Sequence, residues 1–421
     1  MSQRTLAKKL ALVKSGMLLV GVDLAQQNNV ALILTDRAQQ LTRFRFPHTR
    51  AGYDYLYAHV DALCAERQSP GALIGMEPTN YYWKLLAADL EARRPDYAYR
   101  LVNPYTVKKH REGDQLDRSR DDPRDAFAIA DLLRTGKFTE TQLQHGGYAQ
   151  LRQYAALYTR QEQDITQTRN LLHAALGPVF PELGQVFRDL SGATALAMLQ
   201  QHAAAAAIRQ LPLPEFLARV RADFHGERLA LSKLHAAYAL ADQSVGLSDG
   251  WEAYHLTVRM HVATLRHLQQ QHAEVAEILV NTFLALPEAP YLLSLPAIGI
   301  QGAALFLAPI GDPSRFSNGR QLVKLAGIQP VPDTSGKHTR SRTPMSHKGN
   351  ADLRTRTYWV VLHLLQHDAY FQAEYLRLQT RTDHPLTKME AIGVLMNKLL
   401  RIAWTLMHQR TFYDPQQHAD T

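Results

Sequence analysis

The apolar positions in the first third of the chain fall in short runs that stop at acids or turns. Residues 17–23 (MLLVGVD) form a continuous apolar run ending in Asp23, and residues 29–35 (NVALILT) form a second. Residues 42–46 (TRFRF) alternate apolar with polar. Three short β-type runs joined by short polar turns predict a meander. A helical stretch over 53–67 follows, and then a fourth run, 72–77 (ALIGME), which ends in Glu77. Helical spacing over 82–92, a short strand at 99–102 and a basic polar loop (KKHREGDQLDRSR) come next. The segment DDPRDAFAIADLLRTG predicts a helix with a start at Asp122-Pro123 and a stop at Gly136. Strands and helices in this order give an α/β domain of mixed sheet over residues 15–137.

The pattern then changes. After the polar linker FTETQLQHGG the chain reads almost wholly helical. Leu151, Tyr158, Ile165 and Leu172 recur at every seventh residue, and Val258, Leu265 and Leu279 keep that spacing with His272 between. Such sevens predict long helices packed as a coiled-coil-like hairpin, with polar Gln161 and Thr168 interrupting the seam. Pro178, Pro181, Pro212 and Pro214 divide the intervening stretch into short helices. Residues 148–286 thus form a helical region, expected to carry self-association. Residues 287–412 form a further, all-α domain with one long polar loop after Pro330. The fold expectation is α/β plus all-α.

Composition narrows the partners. The chain has 421 residues, 46% of them apolar, enough for ordinary cores. Its net charge of +8 directs attention to nucleic acid or another anionic surface. Cys64 is the only cysteine, which excludes intrachain disulfides and cysteine zinc sites and suits a reducing compartment. No apolar run has the length of a membrane span. The basic-then-apolar start runs straight into the first strand with no small-residue cleavage site, so it reads as a lead-in to a core strand, and the expected location is the cytoplasm.

Candidate chemistry gathers in two places. Asp23 and Glu77 close apolar strands, while Asp122 and Asp125 open a helix on one face. Strand C-terminal ends and helix N-termini meet at one edge of an α/β sheet, where sites are built. Carboxylates clustered there would bind one or two Mg²⁺ ions through hard oxygen ligands. The Asp122-Pro123 pair is equally what a plain N-cap looks like, with Asp125 favoured by the helix dipole. Glu77 is harder to set aside, because burying it unpaired would be costly.

The second place is the polar loop. Ser335-Gly336 leads a basic arm of Lys337, Arg340, Arg342, Lys348, Arg354 and Arg356, fit to neutralise phosphates. A serine hydroxyl is a weak nucleophile without a base or metal, and G-x-S-x-G is absent, so Ser335 alone reads as readily as a turn residue. Upstream, residues 292–312 carry Gly299 and Gly302 between apolar helical stretches, similar to a helix-hairpin-helix. Such a turn offers backbone N–H groups to a phosphate; close helix packing would use the same glycines.

Together these residues resemble bacterial insertion-sequence transposases with a Ruv-C-like DEDD domain and a serine-bearing C-terminal domain, guided by a bridge RNA. The matching segments are GVDLA, GMEPTNYYW, VNP and DDPRDAFAIADLL, then LPAIGIQGAALFLAPIGDPSRFSNGRQLVKLAGIQP, TSGKHTRSR and SHKGNADLRTRTYW. They occur in the family's order across nearly the whole chain. The family often has Lys-Thr where this chain has Arg120-Asp121; the spacing to Asp125-Ala126 favours Asp122 as the ligand. The resemblance implies an RNase-H/Ruv-C-like mixed sheet with Asp23, Glu77, Asp122 and Asp125 holding Mg²⁺. It also implies Ser335 as the nucleophile forming a phosphoserine link to DNA. Donor and target duplex DNA, a structured guide RNA and a homodimer or homotetramer are the implied partners, with the acid domain of one protomer meeting the serine loop of another. Guide pairing would account for the lack of a base-reading motif. The expected function is an RNA-guided DNA transposase or recombinase, acting at the nucleoid. A Holliday-junction-type nuclease and a non-catalytic nucleic-acid-binding protein are the alternatives.

Overall fold

The structure, a computed structural model, describes residues 3–78, 80–114, 122–139, 143–296, 298–331, 334–335, 338–339 and 344–416. The chain divides into two compact units, residues 1–143 and 144–421.

Unit one begins with helix α1 (Gln3–Leu10) and is built on a five-stranded sheet: β1 (Leu18–Asp23), β2 (Asn28–Leu34), β3 (Gln40–Pro47), β4 (Ala72–Met76) and β5 (Ala98–Leu101). The order is β3-β2-β1-β4-β5. The first three strands form an antiparallel meander, while β4 runs parallel to β1 and β5 parallel to β4. Helices α2 (Arg50–Glu66), α3 (Tyr82–Arg93), α4 (Pro104–Asp114) and α5 (Asp122–Arg134) complete the unit. Side chains alternate across a strand, so each face has its own core. Leu18, Val20, Val22, Ile74 and Met76 belong to one, with Leu56 and Leu90 from α2 and α3. Leu19, Leu32 and Leu73 belong to the other, with Ala126, Ile129 and Leu133 of α5.

Two segments differ from expectation. The basic lead-in at the N-terminus is helical, and so is the first half of the basic loop after residue 104. In α4 the Asn103 carboxamide accepts from Tyr105 N–H at 2.9 Å, Pro104 opens the helix, and Val107 alone of its apolar residues is buried to a few per cent. Lysine, arginine and glutamate favour a helix once the start is capped, although they leave no apolar stripe to read. The second half of that loop, 115–121, lies outside the described residues.

Unit two is helical: α6 (Gly146–Leu176), four short helices α7 (Ala193–Gln201), α8 (Ala205–Arg209), α9 (Leu213–Ala222) and α10 (Leu231–Ala241), then α11 (Trp251–Leu284). There follow α12 (Ala289–Leu293), α13 (Ile300–Ile310), α14 (Gly319–Ala326), α15 (Ala351–His367), α16 (Ala369–Thr380) and α17 (Lys388–Gln409). The residues spaced by sevens do form a seam. Leu151, Leu172, Val258, Leu265 and Leu279 are fully buried, and His272 lies 4.2 Å from the Tyr158 ring. Gly147 sits against Leu286, so α6 and α11 run antiparallel as a hairpin within one chain. The hairpin threads two cores. Its Leu172–Val258 end packs with the short helices, and its Leu151–Phe283 end packs with α12 to α17. Gln161 and Thr168 are buried in the seam, and the Thr168 hydroxyl donates to the Asp164 carbonyl at 2.8 Å. Among the described residues, no helix is long and apolar enough to cross a membrane.

Candidate active site

Strand register assembles the acid edge. Val22 pairs with Met76, so Asp23 and Glu77 are the next residues along at the C-terminal ends of neighbouring parallel strands. Both are half-buried. Leu19, Gly21 and Asp23 share one face of β1, and Leu73, Gly75 and Glu77 continue the same alternation on β4. That face is the one covered by α5. A Cβ on Gly21 would lie 2.0 Å from the Ala126 carbonyl oxygen, and one on Gly75 would lie 2.7 Å from Leu133. Two glycines therefore let the helix lie directly on the strands, and the closest approach falls one residue from Asp125. The first turn of α5, with Asp122 and Asp125, is set against the strand end that carries Asp23. The side chain of Asp122 lies outside the described residues.

Asp125 has a partner. Arg111 of α4 donates to it at 2.7 Å, with both side chains about three-quarters buried. Asp131, two turns further on, accepts from Arg134 at 2.7 Å, and the His110 ring nitrogen Nε2 lies 3.0 Å from it. Among the described residues, no group of three or more His, Cys, Asp or Glu stands ready to hold a metal ion. The donor chemistry nonetheless suits one: hard carboxylate oxygens on a fixed sheet edge, two of them in register on the helix-covered face. Such a cation would compete with Arg111 for Asp125.

Ser335 lies on a separate device. Strands β6 (Thr334–Ser335) and β7 (His338–Thr339) pair antiparallel, with Ser335 opposite His338. Two residues separate them in the sequence, the spacing of a β-hairpin. Gly336, Lys337, Arg340 and Arg342 lie outside the described residues. The hairpin stands on a tight neck. Val331 N–H donates to Pro344 at 2.9 Å, Ser346 N–H to Gln329 at 2.9 Å, and His347 N–H to Gly327 at 3.0 Å. Gly327 has a left-handed φ of 69°, and a Cβ on Gly349 would lie 2.3 Å from its nitrogen. The pressed glycines hold two backbone segments in direct contact, a feature that the serine-centred reading of the sequence missed. The available signals were the glycine ending α14 and the Gly349-Asn350 pair, whose asparagine caps α15 by accepting from Leu353 N–H at 2.8 Å.

The described part of the basic arm divides by use. Lys348 is exposed. Arg354 donates to the Ala326 carbonyl at 3.0 Å, and Arg356 reaches Thr159 and Glu162 of α6 at 3.2 and 3.3 Å. Those two guanidinium groups are spent on the protein itself in this structure. An open groove of about 1400 Å³ lies at the foot of the neck, lined among others by Pro330, Pro344, Met345, Arg381, Lys398 and Arg401. Its one acid on α16, Glu374, is held below the usual carboxylate range by hydrogen bonds from Arg377, with Lys398 adding to the effect. At the helix-hairpin-helix-like segment, α13 begins after Gly299. A Cβ there would meet nothing within 4 Å, and one at Gly302 only Ile298 at 3.8 Å, so close packing does not require either glycine.

Comparison with known proteins identifies a DNA transposase or site-specific recombinase. A DEDD transposase model of the IS110 type matches residues 20–181, and the model of the transposase IS116/IS110/IS902 family matches residues 289–376. The chain belongs to this IS110 family of transposases. It is 25% identical over 94% of its length to the mini-circle putative transposase for IS117 of Streptomyces coelicolor, of which it covers 95%. An IS110 insertion-element protein of the same organism is 23% identical over 71% of this chain and 73% of its own length. A pilin gene-inverting protein of Moraxella lacunata is 25% identical over 37% of this chain and 48% of its own length.

Proposed function

We propose that the chain exchanges DNA strands by serine attack on a phosphodiester, with the acid edge as its metal-binding half. The reading is supported above all by the convergence of Asp23, Glu77 and the first turn of α5 on one face of the mixed five-stranded sheet, in a transposase whose other unit carries Ser335 on a hairpin. Asp23, Glu77, Asp122 and Asp125 would hold Mg²⁺. When bound, the ion would supply positive charge to stabilise the phosphorane-like transition state.

The chain's own residues do the rest. The Ser335 oxygen forms a bond to phosphorus and gives up its proton, while the sugar oxygen of the cut strand leaves as a hydroxyl. The bond energy is kept in a phosphoserine link, which a hydroxyl of the other duplex then attacks, freeing the serine. Lys337, Arg340, Arg342 and Lys348 neutralise flanking phosphates. Arg354 and Arg356 fix the start of α15 and so hold the arm's far end. The Gly299 turn offers backbone N–H groups to a further phosphate. A structured guide RNA selects the sequence by pairing, and two or four chains assemble so that one protomer's acids meet another's serine.

Ser335→Ala tests the reading. The variant is expected to bind duplex DNA and guide RNA as the parent does, while losing strand exchange and the covalent protein–DNA adduct together. An Ala variant that still exchanges strands would overturn the serine assignment. Strand cleavage without any adduct in the parent would favour the nuclease alternative.

A further inference from the structure

Two tyrosines leave the acid-bearing edge of the sheet and stay in solvent. Tyr81 follows Glu77 by four residues and is 56% exposed; Tyr105 follows the end of β5 at the same edge and is 64% exposed. An exposed ring is ordinary by itself. What sets Tyr81 apart is its support. Its ring lies 4.5 Å from that of Tyr82, Tyr82 lies edge-on to His48 at 5.4 Å, and His48 bonds to the fully buried Asn29. The Asn29 side-chain carboxamide oxygen also accepts from Ala25 N–H at 3.0 Å, which pins the turn that follows Asp23. An aromatic ladder thus ties an exposed ring to the backbone beside a candidate metal ligand. Asn80, with a left-handed φ of 51°, sets the turn that presents it. Tyr105 carries a cation: the Lys109 ammonium lies over its ring at 5.0 Å.

We propose that Tyr81 and Tyr105 form a stacking platform for unpaired nucleobases of the DNA strand that reaches the acid edge. Flat rings stack on any base, and a nearby cation meets the adjoining phosphate, so the contact is sequence-tolerant. Such tolerance suits a protein that leaves sequence choice to pairing. Strand exchange also requires bases at the junction to come out of the helix. A rigid platform lowers the ordering cost of holding them there. The inference rests on the strand-exchange reading, because that reading brings DNA to this edge.

The test uses the full-length protein, a single-stranded oligodeoxynucleotide carrying 2-aminopurine, the same sequence as RNA, and a fully paired duplex. Tyr81→Ala/Tyr105→Ala should lose the stacking quench and weaken single-stranded DNA binding by about fivefold or more, with duplex binding changed less than about twofold. Tyr81→Phe/Tyr105→Phe should behave as the parent. Unchanged quench and affinity in the alanine variant, an equal loss on the duplex, or a loss confined to the RNA would each overturn the platform. The two readings fail separately. A parent that forms the Ser335 adduct while the alanine variant binds normally removes only the platform. A parent with tyrosine-dependent quench and no adduct removes only the serine mechanism.

Discussion

The acid edge and the serine hairpin place their candidate reactive groups in opposite ways. Asp23 and Glu77 end strands whose other residues are buried on both faces, and α5 lies on them across two glycines. Their positions are set by a core in which each fully buried Leu or Ile contributes about 1.5–3 kcal/mol. Ser335 instead sits on a two-residue strand beyond a neck of backbone bonds between 325–331 and 344–350. On the proposed reading the acids are metal donors, which need fixed positions, and Ser335 is a nucleophile held through the neck. The difference teaches that one group is held by packing and the other by a few backbone contacts, so they should break in different ways.

The largest effect is expected from Gly21→Val. Its side chain would collide with the Ala126 carbonyl, which no rotamer relieves, and unit one should lose more than about 3 kcal/mol of stability. Urea unfolding measures it; a loss under about 1 kcal/mol would show that α5 is free to lift off the sheet. Next, Gly349→Ala should cost about 1–3 kcal/mol through its contact with Gly327, yet suppress strand exchange far more than stability accounts for. Exchange that falls only in line with melting would mean that the neck does not aim the hairpin. Asp125→Asn should weaken Mg²⁺ binding about tenfold in calorimetry, because one ligand charge is removed, while Arg111→Gln should strengthen it by removing the competing cation. Unchanged metal affinity in both variants would sever α5 from the site.

The effect that is smallest at neutral pH concerns unit two alone. Burial pushes His202 down to about 4 from its ordinary 6.5. The unfolded chain therefore binds a proton that the folded one resists, and stability is lost as pH falls from about 6.5 towards 4. His202→Gln should flatten that part of the melting profile; an unaltered slope would assign it to other groups.

Sequence reading found the acid edge because a buried strand that ends in a carboxylate is a local pattern: the apolar run stops where the charge begins. It found the long hairpin for a similar reason, since Leu151, Leu172, Val258 and Leu265 mark a seam by spacing alone. Spacing by sevens does not say whether the partner helix is in the same chain, and here the two helices answer each other. What stayed hidden depends on distant partners. α4 has too few apolar residues to show a stripe. Arg356 reads as a phosphate contact until Thr159 and Glu162, almost two hundred positions earlier, come into view. The Gly327–Gly349 neck is a contact between two backbones, and no side-chain pattern announces it.

Trapping the covalent intermediate on a nicked donor duplex and mapping the modified peptide tests the central claim most directly. The account predicts a phosphodiester link on Ser335 that forms in Mg²⁺, disappears in Ser335→Ala and is strongly reduced in Asp125→Asn. A link on another residue, or cleaved DNA with no link to protein at all, would contradict it.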